Sequence, residues 1–182
     1  MRVVAGTAGG RRLEAPTSRS TRPTSDRVRE ATFNALDSLG VVEGAAVLDL
    51  FAGSGALGIE ALSRGAARAT FVDHDARALA VVRANLAATG LDDSATVVRS
   101  DALRFVTAGR SGAFDLALLD PPDRFDDQAW RELLAHVEAP LVVAESDRPL
   151  EVGQCWRPRR SRRYGTTVVV LAQRDQPRRE QA

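Results

Sequence analysis

The stretch "AVLDLFAGSGALGIEALSRG" (residues 46–65) decides the fold. Its opening residues are apolar on both faces of an extended chain, as a strand buried in a parallel sheet must be. A glycine-rich loop interrupts them, and an apolar helical pattern follows. The same order returns in "ATFVDHDARALAVVRANLAATG" (69–90) and, more briefly, in "ATVVRSDALRFVTA" (95–108). "FDLALLDPP" (114–122) is a fourth strand, "DDQAWRELLAHV" (126–137) a helix with Trp130, Leu133, Leu134 and Val137 on one face, and "APLVVAES" (139–146) a fifth strand. Strands alternating with helices predict a mostly parallel sheet covered on both faces.

The flanks depart from this pattern. "CWRPRRSRRYGTTVVVLAQR" (155–174) reads as two strands joined around Tyr164 and Gly165, so the sheet is expected to end in an antiparallel hairpin and to hold seven strands. "RVVAGTAGGRRLEAP" (2–16) reads as a small hairpin with "RVVA" as a strand and the turn near Gly9 and Gly10. "TRPTSDRVREATFNALDSLG" (21–40) reads as a helix capped by Thr24 or Ser25, with Val28, Ala31, Ala35, Leu36 and Leu39 on its buried face. The expected organisation is an N-terminal hairpin and helix (1–40), an α/β domain (41–174) and a polar tail (175–182).

Composition limits the function classes. With 182 residues and 44% hydrophobic content, one domain with a substantial core is expected. No apolar run approaches membrane-spanning length, and the first residues lack the apolar centre of a secretory signal, so a cytoplasmic location is expected. One cysteine, Cys155, excludes an internal disulfide, and with only His74 and His136 beside it no metal site is expected. The net charge is +1, and all 25 basic residues are arginine. They gather at the ends: Arg2, Arg11, Arg12, Arg19, Arg22, Arg27 and Arg29 before residue 31, and Arg157, Arg159, Arg160, Arg162, Arg163, Arg174, Arg178 and Arg179 after residue 150. Basic ends on an acidic middle suit a polyanion such as nucleic acid; a genome bias toward arginine codons gives the same composition.

In open α/β sheets, ligands bind beyond the carboxyl ends of the strands. Gly53 and Gly55 in "DLFAGSGALG" (49–58) let a ligand approach the main chain. "GSGALG" also fits the dinucleotide pattern G-x-G-x-x-G. An acid just before the loop, Asp49, would repel a pyrophosphate and attract an ammonium or sulfonium, which favours S-adenosylmethionine. Asp73, at the end of "FVDHD" (71–75), is placed to accept two ribose hydroxyls, and Asp75 to begin the next helix. Asp101 in "RSDAL" (99–103) could receive an adenine amino group or cap a helix. In "LLDPPDRF" (118–125), Pro121 and Pro122 fix the backbone and remove two donors beside the Asp120 carboxylate. That acceptor-only corner suits an exocyclic –NH₂ whose lone pair must be aimed at a methyl donor.

"DLFAGSGALG", "FVDHD", "SDA" and "DPP", in this order, resemble the class I S-adenosylmethionine-dependent methyltransferases, and "DPP" resembles the [DN]-P-P-[YFW] element of the amino-group methylases. The segment "RVVAGTAGGRRLEAP…TRPTSDRVREATFNAL" and the ending "RRYGTTVVVL" resemble the bacterial RsmD family, over nearly the whole chain. The resemblance implies a Rossmann-like class I methyltransferase fold. It implies methyl transfer from S-adenosylmethionine to the N2 amine of a guanine in 16S ribosomal RNA of the small subunit, by a monomer. By matching motif, Asp49, Gly53 and Gly55 would line the methionyl end of the cofactor, Asp73 hold the ribose and Asp101 the adenine, with Phe51, His74 and Ala102 completing the cofactor set. Asp120, Pro121 and Pro122 would grip the target amine, and Arg11, Arg12, Arg22 and Arg27 would face RNA. At position 123, where the family pattern has an aromatic that stacks on the extruded base, this chain has Asp123; Phe125 is the ring that could replace it. Methylation of another amine, on DNA or a protein glutamine, a quiet RNA- or cofactor-binding module, and a nicotinamide dehydrogenase remain the alternatives.

Overall fold

The structure is a computed structural model and describes residues 1–15, 26–109, 114–123 and 125–175. Arg22, the cap at Thr24 or Ser25, and residues 176–182 of the expected tail lie outside the described residues. After helix α1 (Asp26–Ser38), strands and helices alternate: β1 (Ala46–Asp49), α2 (Ala56–Ser63), β2 (Arg68–Asp73), α3 (Ala76–Thr89), β3 (Ala95–Arg99), α4 (Ala102–Thr107), β4 (Leu116–Leu119), α5 (Asp127–His136) and β5 (Leu141–Ser146). The chain then forms the hairpin β6 (Trp156–Tyr164) and β7 (Thr167–Arg174). The seven strands lie in the order β3-β2-β1-β4-β5-β7-β6. The first five are parallel, and β7 pairs antiparallel with both β5 and β6, as the sequence predicts.

Two apolar layers cover the sheet. Period-2 alternation sends Val47, Phe71, Leu116, Leu118 and Val143 into one core with Phe33, Ile59, Val82 and Leu86 of α1, α2 and α3. It sends Leu48, Val72, Ala117, Leu119 and Val142 into the other, with Phe105, Trp130, Leu133 and Leu134 of α4 and α5. The same alternation places Asp49, Asp73, Asp120 and Glu145 at the carboxyl ends of β1, β2, β4 and β5, on the face of α2. The register fixes their depth. Asp49 lies opposite Phe71 and Leu118, so Asp73 and Asp120 stand two residues beyond it on either side. Leu119 lies opposite Ala144, which sets Asp120 and Glu145 level with each other.

Two sequence expectations need correction. The buried face of α1 is Val28, Arg29, Thr32, Phe33 and Leu36; Ala31 and Ala35 are half-buried, and Leu39 lies past the helix end and is 52% exposed. The face is turned by a buried arginine. Arg29 is fully buried, ion-paired to Asp26 at 3.0 Å and to Glu60 at 3.5 Å, and donates to the Arg2 carbonyl. The N-terminal segment doubles back as expected, but "RVVA" is no full strand: one antiparallel bridge joins Arg2 and Arg12. The reason is Glu60, whose carboxylate accepts from Val4 N at 2.7 Å and Ala5 N at 3.1 Å, so these donors face α2 instead of a partner strand.

Candidate active site

The order of strands reverses about β1, between β2 and β4, and a crevice opens there at the carboxyl ends. It holds a cleft of about 450 Å³, within the range of small-molecule sites. One wall is the loop after β1, where Gly53 (φ 53°) and Gly55 (φ 79°) take left-handed backbone angles that favour glycine. Hydrogen bonds to β2 and α3, and one within it, hold this loop. Gly53 N donates to Asp73 Oδ2 at 2.9 Å, Gly55 N to the Ala52 carbonyl at 2.6 Å, and Asn85 Nδ2 to the Ser54 carbonyl at 2.8 Å. Buried Asn85 also exchanges hydrogen bonds with the backbone of Glu14, tying the N-terminal segment to the same loop. Met1 and Ala15 consequently reach the cleft wall.

Asp49 forms the floor. It is buried, Oδ2 accepts from Gly58 N at 3.0 Å, and Oδ1 has no hydrogen-bond partner among the described residues. Burial pushes its pKa up from 3.8 to about 7; the Gly58 bond works against this, and the charges of Asp120 and Asp73 add to it. The carboxylate comes this close to α2 because residue 58 has no side chain. A Cβ there would lie 2.3 Å from the Phe71 ring and 3.1 Å from Asp49 Oδ2. A half-satisfied buried carboxylate facing a cleft fits the cationic part of a ligand, and among the described residues no lysine or arginine lines the cleft as a counter-cation.

Asp73 and His74 line the next wall, with Asp75 capping α3 by accepting from Arg77 N. Asp73 serves the protein first: besides Gly53 at Oδ2, its Oδ1 accepts from Asp75 N at 2.9 Å and lies 3.4 Å from His74 Nδ1, so Oδ2 keeps a lone pair for a ligand. Asp101 is exposed and caps α4, accepting from Arg104 N, while Ala102 is buried behind it; neither is among the residues lining the cleft, and neither is Gly55.

The opposite wall is the corner after β4. Asp120, Pro121, Pro122 and Asp123 all line it. Phe125 also lines it, half-buried in T-shaped contacts with Phe51 (centroids 5.5 Å apart) and Trp130 (5.3 Å). Arg148 fastens this corner to the end of β5: it donates to the Phe125 carbonyl at 2.6 Å and bridges Asp127 and Asp147. Sequence reasoning missed Glu145, 3% exposed and part of the cleft wall beside Asp120. Counting two residues from Val143 along β5 would have found it. It also missed Asn85 and Met1, whose roles depend on neighbours distant in sequence.

Of the expected RNA-facing residues, Arg11, Arg12 and Arg27 are exposed on the N-terminal part, and Arg11 donates to the Ala88 carbonyl at 2.9 Å. They lie outside the cleft wall.

The family described as conserved hypothetical protein 95 matches residues 1–173. The putative rRNA methyltransferase YlbH of Bacillus subtilis is 41% identical, over 94% of this chain and 97% of its own. The ribosomal RNA small subunit methyltransferase D of Escherichia coli K12 is 37% identical, over 96% of this chain and 90% of its own. Among solved structures, the putative methyltransferase yhhF from Escherichia coli superposes with a TM-score of 0.81 at 36% identity, covering 96% of this chain and 98% of that one.

Proposed function

Since the chain belongs to the conserved hypothetical protein 95 family, the RsmD family of methyltransferases, we propose that it transfers a methyl group from S-adenosylmethionine to the exocyclic N2 of a guanine in 16S ribosomal RNA. One observation carries the reading: Asp49, Asp120 and Glu145 end three adjacent strands on one face, around a rigid Pro121–Pro122 corner, in a cleft that no described lysine or arginine lines. Such a site accepts hydrogen bonds and positive charge, and it repels a dinucleotide pyrophosphate.

When bound, S-adenosylmethionine supplies an electrophilic methyl on a sulfonium. Asp49 Oδ1 would hold its cationic methionyl part, the Gly53 loop its close approach to the main chain, and Asp73 its ribose. Phe51 closes the cleft between this end and the Pro corner. Asp120 and the Pro121 carbonyl accept the two N2 hydrogens, which turns the nitrogen lone pair toward the methyl, an orientation effect. Asp120 and Glu145, level with each other, would take up the extra proton that N2 carries once methylated. Phe125 offers the ring against which the extruded base rests, in place of the aromatic absent at Asp123.

The test is transfer of labelled methyl to small subunits or 16S RNA that lack this modification, beside DNA and protein acceptors. Label on the N2 of one guanine is expected. Label on DNA or protein alone, or none on any acceptor, overturns the reading.

A further inference from the structure

The cleft is acidic, with Asp49, Asp73, Asp120, Asp123 and Glu145 in its walls, so it cannot itself attract a polyanion. The cations that could do so lie elsewhere. Strand β6 forms the outer edge of the sheet, pairing with β7 alone, and residues 157–163 are all exposed. Five of these seven are arginines, and none is acidic. Arg157 meets Asp175 at 3.5 Å; among the described residues no carboxylate pairs with Arg159, Arg160, Arg162 or Arg163.

We propose that the exposed edge of β6 is a docking rail for the phosphate backbone of the RNA substrate, flanking the base that enters the cleft. Direction supports this. β6 runs parallel to β5, because each is antiparallel to β7, so its carboxyl end lies at the cleft side of the sheet. Across the turn from Tyr164, Thr167 lines the cleft itself. From Arg157 to Arg163 the rail extends about 20 Å at roughly 3.3 Å per residue. Beyond the bulge between Pro158 and Arg160, strand alternation puts Arg160 and Arg162 on the side of Tyr164 and α1, where they border a shallow groove with Ala31 and Ala35. Arg163 projects from the other side, so phosphates on both flanks of the edge are within reach.

A charged edge also deters pairing with another strand, and Pro158 and the bulge already serve that purpose. Edge protection needs no particular sign of charge. Five positive charges, four of them without a carboxylate partner among the described residues, leading to an acidic cleft, match a polyanion held beside the pocket rather than in it.

The proposal rests on the RNA reading of the cleft, and the experiment separates the two. The triple variant Arg160→Gln/Arg162→Gln/Arg163→Gln and its lysine counterpart are compared with wild type for KM and kcat on unmodified small subunits. Direct subunit binding across salt, cofactor binding and oligomeric state are measured beside them. The glutamine variant is expected to raise KM at least tenfold with kcat within twofold and cofactor affinity unchanged. The slope of log affinity against log salt should fall by about 2 to 3, at roughly 0.7 to 0.9 for each phosphate no longer neutralised. The lysine variant should recover most of the affinity. Unchanged KM and salt slope overturn the rail, as does a loss that merely tracks self-association. If wild type binds subunits through β6 but transfers no methyl to them, the functional reading fails and the rail stands.

Discussion

In the proposed reaction Asp120 and Glu145 divide the work of one corner, as their register suggests. Level with each other on adjacent strands, they present two acids to whatever amine lies over the Pro121–Pro122 turn. Under the proposed function Asp120 is the acceptor that orients the nitrogen, so for Asp120→Ala kcat is expected to fall about 10² to 10³-fold, the scale for removal of a preorganised hydrogen bond. Cofactor affinity should stay measurable. Under the same proposal Glu145→Gln keeps shape while removing a proton acceptor, so its loss in kcat should shrink as pH rises and solvent takes over; a pH-independent loss would leave Glu145 a packing role only. In the proposed function Phe125 acts through its face. Phe125→Leu fills similar space between Phe51 and Trp130 but cannot stack, and base–aromatic stacking contributes about 1–3 kcal/mol. A rise in KM of roughly tenfold, with cofactor binding unchanged, is the expected outcome in steady-state assays on small subunits.

At the scale of elements, α2 is the hub. All eight of its residues are buried, and Glu60 on it gathers Arg29 from α1, Arg64, and the Val4 and Ala5 amides. Glu60→Ala leaves Arg29 buried without its partner on α2, a change that costs about 3–5 kcal/mol. For a chain of this size that lowers Tm by roughly 10 °C, readable by calorimetry. Gly58→Ala pushes a methyl into the Phe71 ring and should cost about 1–3 kcal/mol while displacing Asp49, so cofactor affinity falls along with Tm. The strand–loop–helix units were legible in the sequence because their apolar runs and glycines repeat. The burial of Arg29 was not legible: hydrophobic periodicity counts arginine as surface, and two of its partners, Glu60 and the Arg2 carbonyl, are distant in sequence. "RVVA" has the pattern of a strand for the same reason, since the carboxylate that takes its donors lies more than fifty residues away.

Over the whole molecule, the order of acids at strand ends was legible from motifs, whereas their relative depth required the register. That depth gives the protein a pH-dependent stability. Asp49 sits two residues below Asp73 and Asp120, with its pKa raised from 3.8 to about 7. Its folded state therefore binds a proton more tightly than its unfolded state, and the slope of stability with pH is negative between these values. The group's favourable contribution is complete below about pH 4 and is lost as pH rises to about 7, where the ionised carboxylate is left buried against two other acids. A cationic ligand at Oδ1 reverses this, because it favours the ionised form. Cofactor binding should thus release up to one proton below about pH 7, and affinity should rise by up to tenfold per pH unit toward that value before levelling. Calorimetry in buffers of different ionisation enthalpy reads the proton, and thermal melts read the stability. At fixed cofactor concentration, the gap in Tm between bound and free protein should widen from about pH 6 to about pH 8. In Asp49→Asn the gap should be small and flat across the same range; a wild-type gap that is equally flat would remove Asp49 from cofactor recognition.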